Sequence, residues 1–169
     1  MVEEIKNRVS SSKLKVIDLE DFYPEEHRVL FDIKDWLFEQ LVLREKDFRT
    51  HVKNHDWSQY KNKYVALHCS TDAIVPDWAY MLISIQLQDF AKLCVVGDLN
   101  LLENILFFKM VSNLNIDTYI DAPVIVKGCS NKPVPRNALV LLTQKLKPVA
   151  KSIMYGEACS FVPLYKKPK

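Results

Sequence analysis

A repeat at fixed spacing constrains this chain more than any other feature of it. Pro76 and Pro135 stand 59 residues apart, and the same spacing joins Ala79 to Ala138, Leu82 to Leu141, Leu87 to Leu146, Ala91 to Ala150, Lys92 to Lys151 and Gly97 to Gly156. Asp98 and Glu157 continue it as an acidic pair. Upstream of the prolines the spacing reads 60, pairing Val65 with Ile125, Cys69 with Cys129 and Ser70 with Ser130. One residue gained or lost in a loop costs little closure entropy. Chance agreement between two units of like composition is the competing reading, and so many identities in one register argue against it. The repeat predicts two duplicated βαβ halves, residues 62–98 and 122–157.

Local patterns fill in the elements. The apolar runs Tyr64 to Cys69, Leu93 to Val96, Val124 to Cys129 and Ser152 to Tyr155 read as strands, two of them ending at Gly97 and Gly156. Pro76 and Pro135 each open a helix at the first position, where a missing N–H is tolerated. Asn100 with Glu103 is a capping-box signature for a further helix to about Asn113. Residues 1–61 read as an N-terminal extension with strands at 13–22 and 27–33 and helix from Asp35 to about His55; residues 158–169 read as a tail. The expected fold is α/β, a mostly parallel three-layer sheet within one domain spanning 1–169. If each half adds its second strand outward, the strands ending in Cys69 and Cys129 adjoin at a topological switch point with a crevice beyond their carboxyl ends.

Composition removes several function classes. Only three glycines occur, Gly97, Gly128 and Gly156, so no phosphate-cradling GxxxxGK[ST] loop, GxGxxG turn or GxSxG nucleophile elbow can be built. A net charge of +2 is too small for a generic nucleic-acid binder. The acidic start Met1-Val-Glu-Glu-Ile-Lys6 has no apolar stretch behind it, and no run spans a bilayer. A cytoplasmic chain is expected, with no membrane or nucleic-acid partner and with reduced cysteines that pack, bind metal or react.

Three of the four cysteines share a local grammar. Cys69-Ser70 precedes Val75-Pro76, Cys129-Ser130 precedes Val134-Pro135, and Cys159-Ser160 precedes Val162-Pro163, whereas Cys94 sits inside a strand. Each strand would present a thiol at its end, and serine and loop N–H groups can donate to a thiolate. Three converging thiolates suit Zn or Fe, including an iron–sulfur cluster, with His68, Asp72, Glu157, water or a partner's thiol as fourth ligand. The bland alternative is that free cysteines pack as small apolar residues, and no CxxC spacing is present. His51 and His55 also share one helical face at a metal-binding spacing, without the general-base glutamate of HExxH. The run Arg44 to Arg49 reads as a solvated helical face, and Trp57, Tyr60 and Tyr64 as packing.

The stretches Val29-Leu-Phe-Asp-Ile-Lys-Asp-Trp36, Leu43-Arg-Glu-Lys-Asp-Phe-Arg49, Asn54-His-Asp-Trp57, Asp72-Ala-Ile-Val-Pro-Asp-Trp-Ala-Tyr80, Gly128-Cys-Ser130 and Lys151-Ser-Ile-Met-Tyr-Gly-Glu157 through Cys159-Ser160 resemble a bacterial family, domain of unknown function 2480, nearly end to end. The resemblance carries no assigned activity. It implies a setting beside sulfur-mobilising iron–sulfur assembly genes, and so iron–sulfur assembly proteins as partners. The leading expectation is a metal- or cluster-binding accessory protein using Cys69, Cys129 and Cys159. A thiol enzyme or persulfide carrier and a scaffold with packing cysteines are the alternatives.

Overall fold

A computed structural model of the chain describes residues 13–127 and 131–168. In chain order the elements are β1 (Lys15–Asp18), β2 (Arg28–Asp32), α1 (Glu45–Asn54), β3 (Tyr64–His68), α2 (Asp77–Leu87), β4 (Leu93–Val96), α3 (Leu99–Asn113), β5 (Pro123–Lys127), α4 (Arg136–Leu146), β6 (Ser152–Glu157) and β7 (Ser160–Lys166), with short 3₁₀ turns between them. No helix of the described residues is long and apolar enough to cross a membrane.

The chain divides into two compact units. One is continuous, Pro24–Glu103; the other is split, joining the chain up to Tyr23 with Asn104–Lys169. The continuous unit holds a wholly parallel sheet in the order β2-β3-β4. The split unit holds a mixed sheet in the order β1-β5-β6-β7, parallel except for the final antiparallel pair. A central parallel strand is covered on both faces and so reads as a continuous apolar run. Val65, Ala66 and Leu67 in β3, and Val124, Ile125 and Val126 in β5, are accordingly buried. Each following helix buries one stripe at helical spacing, Ala79, Ile83 and Leu87 on α2, and Ala138, Leu142 and Leu146 on α4.

The expected single sheet is corrected. β3 and β5 are not neighbours; each is an inner strand of its own sheet. The physical reason lies in the segment read as an extension. Its strands β1 and β2 fill the open flanks of β5 and β3 respectively, so neither inner strand is left to pair with the other. The segment read as a tail likewise supplies β7.

Hydrogen bonds recur at the 59-residue spacing. Asn62 N–H donates to Phe90 O and Asp121 N–H to Val149 O; Lys92 N–H donates to Lys63 O and Lys151 N–H to Ala122 O. Asn62 and Asp121 both adopt left-handed backbone, φ 60° and 52°. Pro76 and Pro135 both sit at the N-cap with extended backbone, one position earlier than the sequence reading placed them. β3 and β5 also begin and end 59 residues apart. At that spacing Cys69, the first residue after β3, corresponds in sequence to Gly128, whereas the 60-residue spacing pairs it with Cys129.

Candidate functional site

Ligands of parallel α/β sheets gather beyond the carboxyl ends of the strands, and the sequence-predicted cysteines follow such ends. In the continuous unit Asp32 and His68 are register partners at the ends of β2 and β3. Cys69, half-buried, opens the loop that leads to α2. An Asp32 carboxylate oxygen accepts from Lys34 N–H at 3.1 Å and from Ser70 N–H at 3.1 Å, which fastens the loop beside the thiol. Burial alone would raise the Asp32 carboxyl, but the Ser70 hydroxyl and N–H, the Lys34 N–H and the Lys34 charge outweigh it and hold it below its ordinary value.

Thr71 completes this corner. Its hydroxyl donates to Gln40 O at 2.8 Å, so its oxygen is an acceptor toward Cys69 Sγ at 3.4 Å, and the thiol also reaches Thr71 O at 3.7 Å. The Cys69 S–H is thus a donor. Gln40 offers its carbonyl from a tight turn over Phe38–Leu41 in which Glu39 and Gln40 are both left-handed, φ 49° and 58°. Two consecutive non-glycine residues in that region store strain of about 1–3 kcal/mol each. Sequence reasoning missed this turn because it contains no Gly, Asn or Pro, and missed Thr71 because the Cys-Ser grammar stopped one residue short of it.

The split unit presents a different rim. Lys127, last in β5, stands 3.2 Å from Glu157 of β6 and 3.8 Å from Asp18 of β1. Its hydrogen bond to Glu157 raises the ammonium above its ordinary value, with the Glu157 charge adding to it. Two residues beyond Glu157, exposed Cys159 lies in the two-residue turn that joins β6 to β7. Cys129 and its neighbours Gly128 and Ser130 lie outside the described residues.

The predicted ligand set is therefore divided. Cys69, His68 and Asp72 belong to the continuous unit, Cys159 and Glu157 to the split one. Among the described residues no group of three or more His, Cys, Asp and Glu side chains is placed to hold a metal ion. Glu157 is engaged by Lys127, and Asp72 is an exposed loop residue. Cys94 is a packing thiol within β4, pushed up to about 11 by burial.

The two histidines at helical spacing serve packing. His51 stacks on Trp36 at 5.6 Å between ring centres. His55 meets Phe31, Trp36 and Trp57 edge-on and stacks against Tyr60. Its Nε2 lies 3.2 Å from the Gln59 amide nitrogen, which can only donate, and 2.9 Å from the Tyr60 hydroxyl. Nε2 is thus an acceptor, already engaged by two donors. Burial lowers the His55 imidazole, opposed by the Asp56 charge, and pushes the Tyr60 phenol up to about 12.

Fold and rims together define an α/β protein of two sheet units, each with polar and thiol side chains at or just beyond the carboxyl ends of its strands. The chain belongs to the family described as protein of unknown function (DUF2480), whose profile matches residues 3–167. No curated protein and no solved structure matches it.

Proposed function

We propose that the chain is a cysteine-based accessory protein that captures a thiophilic metal ion or an iron–sulfur unit, with Cys129 and Cys159 as its own pair of ligands. The observation that carries this reading is the parallel pairing of β5 with β6, Val126 opposite Tyr155. Adjacent strands lie about 4.8 Å apart. Both cysteines are two positions past their strands. Two thiolates leave the other positions of a tetrahedral ion to water or to a partner's thiols. Cys69 belongs to the other sheet, where its S–H donates a hydrogen bond to Thr71.

Titration of the reduced full-length chain with cobalt(II) tests the assignment through the thiolate charge-transfer absorption. Cys129→Ser and Cys159→Ser are each expected to abolish the band, while Cys69→Ser and Cys94→Ser retain it. A band that depends on Cys69, or no band at all, defeats the reading. Exposure of Cys159 on a turn favours persulfide transfer as a second reading. There the Cys159 thiolate attacks the outer sulfur of a donor persulfide, forming the Cys159 persulfide and releasing the donor as a thiol. A mass gain of about 32 Da, one sulfur atom, that Cys159→Ser removes supports it. An unmodified chain rejects it.

We also infer that the two βαβ halves, β3–α2–β4 and β5–α4–β6, arose by duplication. The support is the paired hydrogen bonds 59 residues apart, which chance similarity of sequence does not require.

A further inference from the structure

α2 is apolar on the side it buries and also on the side it shows. Opposite the stripe of Ala79, Ile83 and Leu87 it carries Met81 and Ile85, with Trp78, itself partly buried against Phe48, one turn before them, spaced by three and four residues as in a coiled-coil seam. Met81 is 63% and Ile85 59% exposed, and Ile74, just before the helix, is 90% exposed. Helix α4 has the same place in its own unit but shows Asn137, Val140 and Gln144 at the matching positions, so the seam is not demanded by the fold. No charged residue occurs between Trp78 and Gln88. An outer helix face whose one charge is Asp77 at its first residue, beside a fully buried inner one, marks a contact surface.

Charge says what kind of partner fits. From Tyr64 to Ala91 the chain has no Lys or Arg and three aspartates, in a molecule whose net charge is +2. Asp77 stands at the start of α2, Asp89 just past its end and Asp72 in the loop before it, all exposed. The cations beside this helix are engaged elsewhere: Arg49, over the Trp78 ring, is paired with Glu45 at 2.8 Å, and Lys92, three residues past Asp89, is paired with Glu26. A rim of this sign repels anionic lipid and nucleic acid, and two copies meeting seam to seam would set their aspartates against one another.

We propose that the outer face of α2 docks an amphipathic helix of a partner protein, with apolar residues at a and d spacing and Lys or Arg on its flanks. This goes beyond the thiol reading and uses none of its residues. The test takes the full chain and two synthetic helical peptides with leucine at a and d, one with lysine and one with glutamate at e and g. Fluorescence anisotropy is expected to show the lysine peptide binding about tenfold or more tightly than the glutamate peptide, with the difference shrinking as salt rises. Met81→Lys and Ile85→Lys are expected to weaken it about tenfold, while Val140→Lys on α4 leaves it unchanged. Asp77→Asn with Asp89→Asn, both at exposed sites, should weaken the lysine peptide several-fold with the melting curve unaltered.

Equal binding of the two peptides, or binding indifferent to Met81 and Ile85, overturns the proposal. A wild-type dimer that Met81→Lys converts to monomer transfers the face to a second copy. Sedimentation with phosphatidylserine vesicles that depends on Met81 transfers it to a membrane. Loss of thermal stability in Met81→Lys as large as that of a core substitution shows the seam to be covered within the chain; each of these three results also overturns it.

Discussion

At His55 one proton separates two states of the aromatic cluster in the continuous unit. The neutral ring accepts from Gln59 and Tyr60 through Nε2 and rests among Phe31, Trp36 and Trp57. Protonation turns that acceptor into a donor facing two donors, and burial opposes the charge. Because the folded value lies below the unfolded value of 6.5, the unfolded chain binds more protons as pH falls. The stabilisation is complete above 6.5 and is lost as pH falls below it toward the folded value. Glu26, Asp32 and Asp56 are also held below their ordinary values of 4.5, 3.8 and 3.8, so their contributions fade only in more acid solution. All three tryptophans, Trp36, Trp57 and Trp78, lie in this unit, and their fluorescence reports its unfolding alone. The urea midpoint read that way is expected to fall between pH 7 and pH 5. In His55→Gln it should start lower and stay level across the same interval. An unchanged slope in the variant would assign the pH dependence to other groups.

Among the elements, the glycines near the ends of β4 and β6, Gly97 just past the one and Gly156 next to last in the other, are not equivalent. Both have left-handed backbone, φ 149° for Gly97 and 125° for Gly156. A Cβ on Gly97 would meet the flexible end of Leu101, Cδ2 at 2.5 Å; on Gly156 it would meet backbone, Ser160 O at 2.7 Å and Phe161 Cα at 3.2 Å. A side-chain end can rotate away, but the β6–β7 ladder cannot yield without opening. Gly156→Ala is expected to cost about 3 kcal/mol and Gly97→Ala about 1 kcal/mol. Matched chemical denaturation of the two variants checks the order, and equal losses would refute the backbone argument.

The same elements show what sequence reveals. Helices α2 and α4, with their prolines and buried stripes, were legible because a 3.6-residue period and a cap are local properties. β7 was not. Pro163 and the lysines that follow disguise a strand as a loose end, although an edge strand tolerates proline where no ladder N–H is needed. Helix was expected from Asp35, yet α1 begins at Glu45, since the turn around Glu39 and Gln40 has no residue that favours left-handed backbone. The cysteines were readable as strand-end residues in Cys69 and Cys159. Their division between units was not, because which strands share a sheet depends on pairings far apart in the chain.

For the molecule as a whole, the order of the chain makes one unit wait for the other. The continuous unit interrupts the split unit, so Arg28 and Tyr64 come into register across 36 residues but Lys15 and Val124 only across 109. The longer closure costs about 1 kcal/mol more, about fivefold in rate. Arg28 moderates this. Its guanidinium binds Glu103 through Nε at 2.5 Å and NH2 at 3.3 Å, and also the carbonyls of Pro24 and Glu26. The first and last residues of the continuous unit are thereby tied to one side chain, both partners of the ion pair being 13% exposed. Once that unit has folded, the loop that β1 and β5 must close is far shorter than its count of residues. Pulse-labelled hydrogen exchange is expected to protect the amides of β3 before those of β5. Arg28→Ala leaves Glu103 without this partner, which costs the continuous unit about 3 kcal/mol, and it should slow protection of β5 about fivefold. Glu103→Gln, which keeps the shape of the side chain, is expected to slow it in the same sense by less. Protection of both sheets in a single phase, or a β5 rate indifferent to both substitutions, would show that the two units do not fold in sequence.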